Sequence, residues 1–262
     1  MSASSPSAPP TKLPAIGAAF WVMKIAATTL GETAGDLLSM TLNIGYAASS
    51  LTLLAVFVVS VGLQLASRRY TPPIYWLTIL ATSTAGTTMS DYMDRTLGLG
   101  YAKGTALLVT TLIAVLVSWR LATGSLSVDR VTNRRAEIFY WSAILVSNTL
   151  GTALGDFLAD DSGLGFAGGA LLIAGLLAVV LVVTYTTRAS RVALFWIAFV
   201  LTRPFGATVG DVLTKGHDKG GLGFGTIGAS AILGAVLVTF VARAAIVERR
   251  RRLAVADMAV RS

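Results

Sequence analysis

The stretch FWVMKIAATTLGETAGD, residues 20–36, sets a Lys, a Glu and an Asp into a run that is otherwise apolar or small. Its landmarks recur three more times. Trp21, Trp76, Trp141 and Trp196 each follow an aromatic residue: Phe20, Tyr75, Tyr140 and Phe195. Fifteen residues after each Trp stands an Asp, namely Asp36, Asp91, Asp156 and Asp211, and five before each Asp stands a Gly: Gly31, Gly86, Gly151 and Gly206. Asp is only ten of 262 residues, so chance does not place it there four times.

Downstream the likeness continues in IGYA (44–47), LGYA (99–102), LGFA (164–167) and LGFG (222–225), each followed by an apolar run. The Gly of that motif lies nine residues after Asp in three copies and twelve in the fourth, which has taken in KGHDKG. The unit is therefore helix, Asp, short Gly-aromatic turn, helix. Trp-to-Trp intervals of 55, 65 and 55 make the second pair of units a copy of the first at an offset of 120. Such self-similarity decides the architecture before any single residue does.

The pattern resembles the bacterial multi-pass proteins built from four tandem two-helix repeats with a characteristic Trp, catalogued as domain of unknown function 347 and as predicted membrane-anchored proteins. The resemblance covers about residues 18–245 and implies paired transmembrane helices. It implies no activity, ligand or cofactor.

Composition points the same way. The chain is 54% hydrophobic and 13% charged, with a mean hydropathy of +0.72, against roughly 25% charged residues in soluble domains. Blocks such as residues 47–66 and 168–186 approach the ~20 residues that cross a bilayer as a helix. The expected fold is an all-α integral membrane protein of eight transmembrane helices, from four parallel two-helix repeats set pseudo-fourfold around a polar axis. The repeats fall at 18–66, 74–120, 139–187 and 193–245. A disordered tail (1–17), a linker (121–138) and a basic tail (246–262) complete the chain. Tails and linkers on one side carry fifteen Lys and Arg, against four on the other (Arg95, Lys103, Lys215, Lys219). Basic loops stay cytoplasmic, so both termini are expected on the cytoplasmic side of a bacterial inner membrane. The Trp residues (Trp21, Trp76, Trp141 and Trp196) are read as anchors at that interface.

Fifteen residues of helix carry the chain ~22 Å from Trp to Asp. Steps of four residues stay near one helix face. Back from Asp36 they reach Glu32, Thr28 and, one step further, Lys24; from Asp91, Thr87 and Ser83; from Asp156, Thr152 and Asn148; from Asp211, Ala207 and Arg203, beside Pro204. A charge at mid-bilayer costs at least ~2.5–3.5 kcal/mol, so these stripes must face one another or water. The expected function is transport or channelling of a small hard cation: Mn²⁺ or Mg²⁺, a proton or an alkali cation. Asp36, Glu32, Asp91, Asp156 and Asp211 are the candidate ion ligands, and the same carboxylates are the candidates for a metal. Thr28, Thr87, Asn148 and Thr152 are accessory oxygens, while Lys24 and Arg203 tune the charge.

Two other readings stay open. The Asp residues could cap helices, leaving a non-transporting scaffold or partner-binding module. Lys24 and Arg203 could instead serve an anion. No Cys and a single His, His217, leave no thiolate site, His cluster or nucleophile–base pair, so no enzyme and no cofactor are expected. The partners expected are the lipid bilayer and a small cation, not nucleic acid, and the sequence is open to a homo-oligomer.

Overall fold

A computed structural model describes residues 12–67 and 69–261. Among these the chain forms eight α-helices and no β-strand: α1 (Ala18–Asp36), α2 (Tyr46–Ala66), α3 (Pro72–Asp91), α4 (Tyr101–Thr123), α5 (Arg134–Asp156), α6 (Gly165–Thr186), α7 (Arg191–Thr214) and α8 (Gly225–Arg261).

The odd-numbered helices make a closed inner ring, in which α1 packs on α3 and α7, and α5 packs on the same two. The ring is tight because of the Gly five residues before each Asp. A Cβ on Gly31 would overlap Ser83 of α3; on Gly86 it would meet Asn148 of α5, on Gly151 Arg203 of α7, and on Gly206 Thr28 of α1. Each Gly thus faces the residue eight before the next repeat's Asp, and the fourth closes the circle on the first. Small residues are how helices approach closely where hydrophobic driving force is weak.

The even-numbered helices lie outside. Each packs mainly on the first helix of the following repeat: α2 on α3, α4 on α5, α6 on α7, and α8 back on α1. Their outer faces carry exposed apolar side chains, among them Leu51, Val59, Leu171 and Val238. Among the described residues five helices are long and apolar enough to cross a membrane: α2, α4, α6, α7 and residues Gly225–Ala254 of α8. Helices α1, α3 and α5, whose stripes are polar at every step, fall short of that measure, whereas the stripe of α7 includes Ala207.

The turn after each Asp has one design. In the first three repeats the α-helix runs without a break into a π-helical turn, Leu37–Thr41, Tyr92–Thr96 and Phe157–Asp161. The motif Gly then takes a positive φ: 82° at Gly45, 74° at Gly100, 67° at Gly165 and 71° at Gly223. Side chains with a Cβ avoid that region, which explains why Gly recurs there. In the fourth repeat the inserted residues form a short 3₁₀ turn, His217–Lys219.

The termini differ from the sequence reading. Residues 1–11 of the expected disordered tail lie outside the described residues. From Lys12 onward the segment packs on the bundle: Leu13 is buried and Lys12 Nζ lies 2.9 Å from Glu137 Oε2. The expected basic tail is no separate segment either, since α8 continues through it as one helix of 37 residues. Its RRRR run and the residues around it are good helix formers, and Arg252 pairs with Glu248 at 2.9 Å and donates to the Tyr70 carbonyl.

Candidate functional site

Four residues, one from each inner helix, form each layer of the ring. The Asp layer (Asp36, Asp91, Asp156, Asp211) is buried, no member being more than 4% exposed. One turn further in come Glu32, Thr87, Thr152 and Ala207; then Thr28, Ser83, Asn148 and Arg203; then Lys24, Ile79, Ile144 and Phe199. All twelve are buried, and eleven of them have no exposed surface at all. The expected stripe residues are therefore brought together on one axis, with every accessory oxygen among them.

Beyond Lys24 the axis ends in aromatic rings. Tyr75, Trp76, Tyr140, Trp141, Trp196 and Phe199 are buried and stack edge-on or tilted, with centroids 5.1–6.3 Å apart. Tyr75 and Tyr140 share a hydrogen bond of 2.7 Å between the neighbouring helices α3 and α5. This corrects the reading of Trp76, Trp141 and Trp196 as interface anchors. Only Trp21 is partly exposed; the other three sit inside the bundle, because the ring places the face that bears them towards its neighbours.

At the Asp end, two cations tie the carboxylates together in pairs. Lys215 Nζ lies 3.2 Å from Asp36 Oδ2 and 3.2 Å from Asp211 Oδ1. Arg95 Nε lies 2.8 Å from Asp91 Oδ1, and its Nη2 lies 3.3 Å from Asp156 Oδ2. Both cations stand four residues after an Asp, one helical turn on, in the second and fourth repeats. The Asp residues do not cap helices: no side-chain cap bond forms at Asp36, Asp91 or Asp156, and Asp211 lies inside α7. A cavity of about 380 Å³ opens onto this end, lined by Arg95, Asp156, Asp160, Asp211, Lys215 and Lys219. A larger groove of about 680 Å³ lies elsewhere, on the outer side of α1, α6 and α7, and its walls are mostly apolar.

Deeper in, Arg203 crosses the axis. Its Nη1 donates to Glu32 Oε2 at 2.9 Å, and its Nη2 donates to Thr87 Oγ1 and Thr152 Oγ1, both at 2.6 Å. Lys24 does not join Glu32. Its amine donates to Asn148 Oδ1 at 3.3 Å and lies 4.1 Å from the centre of the Phe199 ring, a cation–π geometry. Asn148 in turn donates to Thr82 Oγ1 at 2.8 Å. Thr28 donates to the Thr202 carbonyl at 3.2 Å and so joins α1 to α7.

Among the described residues one trio has carboxylate oxygens close enough for a shared metal ion: Glu32, Asp36 and Asp211, with ligand atoms within 4.8 Å of one another. In this arrangement Arg203 pairs with the first, and a single Lys215 is shared by the other two. Carboxylates and hydroxyls are the ligand types that hard cations take; along this axis the carboxylates face Arg95, Arg203 and Lys215.

The family described as Repeat of Unknown Function (DUF347) matches residues 19–70, 74–125, 139–190 and 194–250, and the chain belongs to it. No curated protein and no solved structure matches the chain.

Proposed function

We propose that this DUF347 repeat protein is a non-enzymatic membrane transporter that moves a small hard cation along the axis between α1, α3, α5 and α7. One observation carries the reading. A continuous column of buried polar layers joins a carboxylate end, reached by a cavity of about 380 Å³, to a fully buried core. Burying this many ionisable groups is costly in any apolar surroundings, and in membranes intramembrane charges mark ion pathways. The apolar outer helices supply the lipid-facing coat.

The same reading places the protein in the bacterial inner membrane with both termini cytoplasmic, since Lys and Arg crowd on that side. The aromatic layer then lies towards the cytoplasm and closes the axis there. Entry from the other side meets Asp36, Asp91, Asp156 and Asp211 first. An incoming cation would compete there with Lys215 and Arg95, then with Arg203 at Glu32.

A scaffold is the second reading, and it has an observation of its own: each carboxylate of the column already has a protein cation within 3.3 Å. Uptake by proteoliposomes, screened over Mn²⁺, Mg²⁺, Ca²⁺, K⁺ and H⁺, separates the two. Flux in the wild type that disappears when Asp36, Asp91, Asp156 and Asp211 are all changed to Asn supports the pathway. Absence of flux for every ion, with both proteins folded, leaves the scaffold.

A further inference from the structure

Position by position, the layer one turn inside the Asp layer holds an oxygen in three repeats, at Glu32, Thr87 and Thr152, and none in the fourth, where Ala207 stands. That same fourth helix supplies Arg203 one turn away, and the Arg203 guanidinium reaches back into the layer its own helix leaves without a ligand. Glu32 Oε2 lies 3.3 Å from Thr87 Oγ1 and 3.3 Å from Thr152 Oγ1, so three oxygens from three helices converge on one point. Arg203 also points Nη2 at the Ser83 carbonyl, 3.4 Å away. Every member of this set is buried, at 3% exposure or less.

We propose that Glu32, Thr87, Thr152 and the Ser83 carbonyl form a monovalent-cation site, and that Arg203 is its tethered occupant. The inference rests on the cation-transport reading and narrows its substrate class. The charge of the site decides the valence. One carboxylate with neutral hydroxyl and carbonyl oxygens balances a single positive charge. A divalent ion there would have to draw its second counter-charge from Asp36 and Asp211, which already share Lys215. The occupant fits imperfectly: Arg203 Nε is buried with no hydrogen-bond partner, a cost in such surroundings. Gly151 is part of the arrangement, because a Cβ there would overlap the Arg203 stem.

The test is whether the emptied site takes a free cation. Full-length Arg203→Ala is purified in detergent, and its thermal unfolding is followed against methylguanidinium, K⁺, Na⁺ and Mg²⁺ at constant ionic strength. A saturable rise of about 3–6 °C at roughly tenfold excess over Kd is expected for at least one of the monovalent ions. Neither the wild type, whose site is filled, nor the Glu32→Gln/Arg203→Ala double variant, whose site is neutral, should respond, and Mg²⁺ should have no effect. No saturable rise for any monovalent ion, or an equal rise in the double variant, overturns the assignment.

If Arg203→Ala does not fold, Arg203→Lys and Arg203→Met keep most of the side-chain volume. A cation site keeps the Lys variant the more stable of the two, and equal stability overturns it. Saturable binding without wild-type flux keeps the site and removes the transport reading. Flux without binding does the reverse.

Discussion

Replacing Gly86 by Ala tests the ring where it is least able to yield. An added Cβ would sit 2.9 Å from the carbonyl carbon of Asn148, 2.9 Å from the Thr149 nitrogen and 3.1 Å from Asn148 Cβ. Carbon atoms rest about 3.5–4.0 Å apart, so α3 and α5 must part by roughly 0.6–1 Å. Two of the opposing atoms are backbone and cannot rotate away, which puts the overpacking cost near the top of its usual range, about 3 kcal/mol. Ala returns about 1 kcal/mol as a better helix former than Gly, leaving a net loss of about 2 kcal/mol.

The site should feel the same displacement. Thr87 on α3 and Thr152 on α5 bind one nitrogen of Arg203 at 2.6 Å each. Parting the helices lengthens one or both of these bonds towards the ~3.2 Å limit of a good hydrogen bond. The control is Gly62→Ala on α2, where a Cβ meets nothing within 4 Å. There the helix preference acts alone, and stability should hold or rise by up to about 1 kcal/mol. Equilibrium unfolding in detergent, followed by helical circular dichroism, measures both variants. If Gly86→Ala is as stable as Gly62→Ala, the close-packed ring is wrong.

Lys215→Met leaves Asp36 and Asp211 without their shared cation. Thermal unfolding at neutral pH should show a loss of about 3 kcal/mol, the lower end of the range for breaking a buried pair, because Lys215 is 23% exposed; Lys215→Arg should recover most of it. Lys12→Met removes the cation beside buried Glu137; it should destabilise the protein, and adding Glu137→Gln should restore part of the loss in a double-mutant cycle. Tyr70, in the turn before α3, has its hydroxyl pushed up to about 12 by burial, with the nearby negative charge of Glu248 adding to the effect. A folded-state pKa above the unfolded value near 10 gives stability that is complete below about pH 10 and lost towards about pH 12. Unfolding temperatures across that window should fall less steeply in Tyr70→Phe.

The stripe was legible because helix periodicity is local: steps of four from each Asp name the residues that share a face whatever the rest of the chain does. All of Glu32, Thr28, Thr87, Asn148 and Thr152 lie on the axis for that reason. Arg95 and Lys215 were read only as loop charges, although the signal was present, one turn beyond Asp91 and Asp211. The burial of Trp76, Trp141 and Trp196 is not legible locally, because an amphipathic ring near a helix end fits a lipid interface and a buried layer equally well. Only the neighbours decide between the two. That α8 runs on through its charged segment is not legible from the charge run, because orientation signals and helix formers draw on the same residues.

From the sequence alone come the four repeats, two helices in each, the polar face of every first helix and the Gly that its turn needs, the last two set by spacings of fewer than twenty residues. Tertiary structure decides the partners. It packs each second helix on the following repeat's first helix, brings α8 round to α1, and sets Arg203 on Glu32, 171 residues away. Pairings over such distances depend on closing the whole ring, in which the buried charged groups must find their partners together, and no local spacing encodes that.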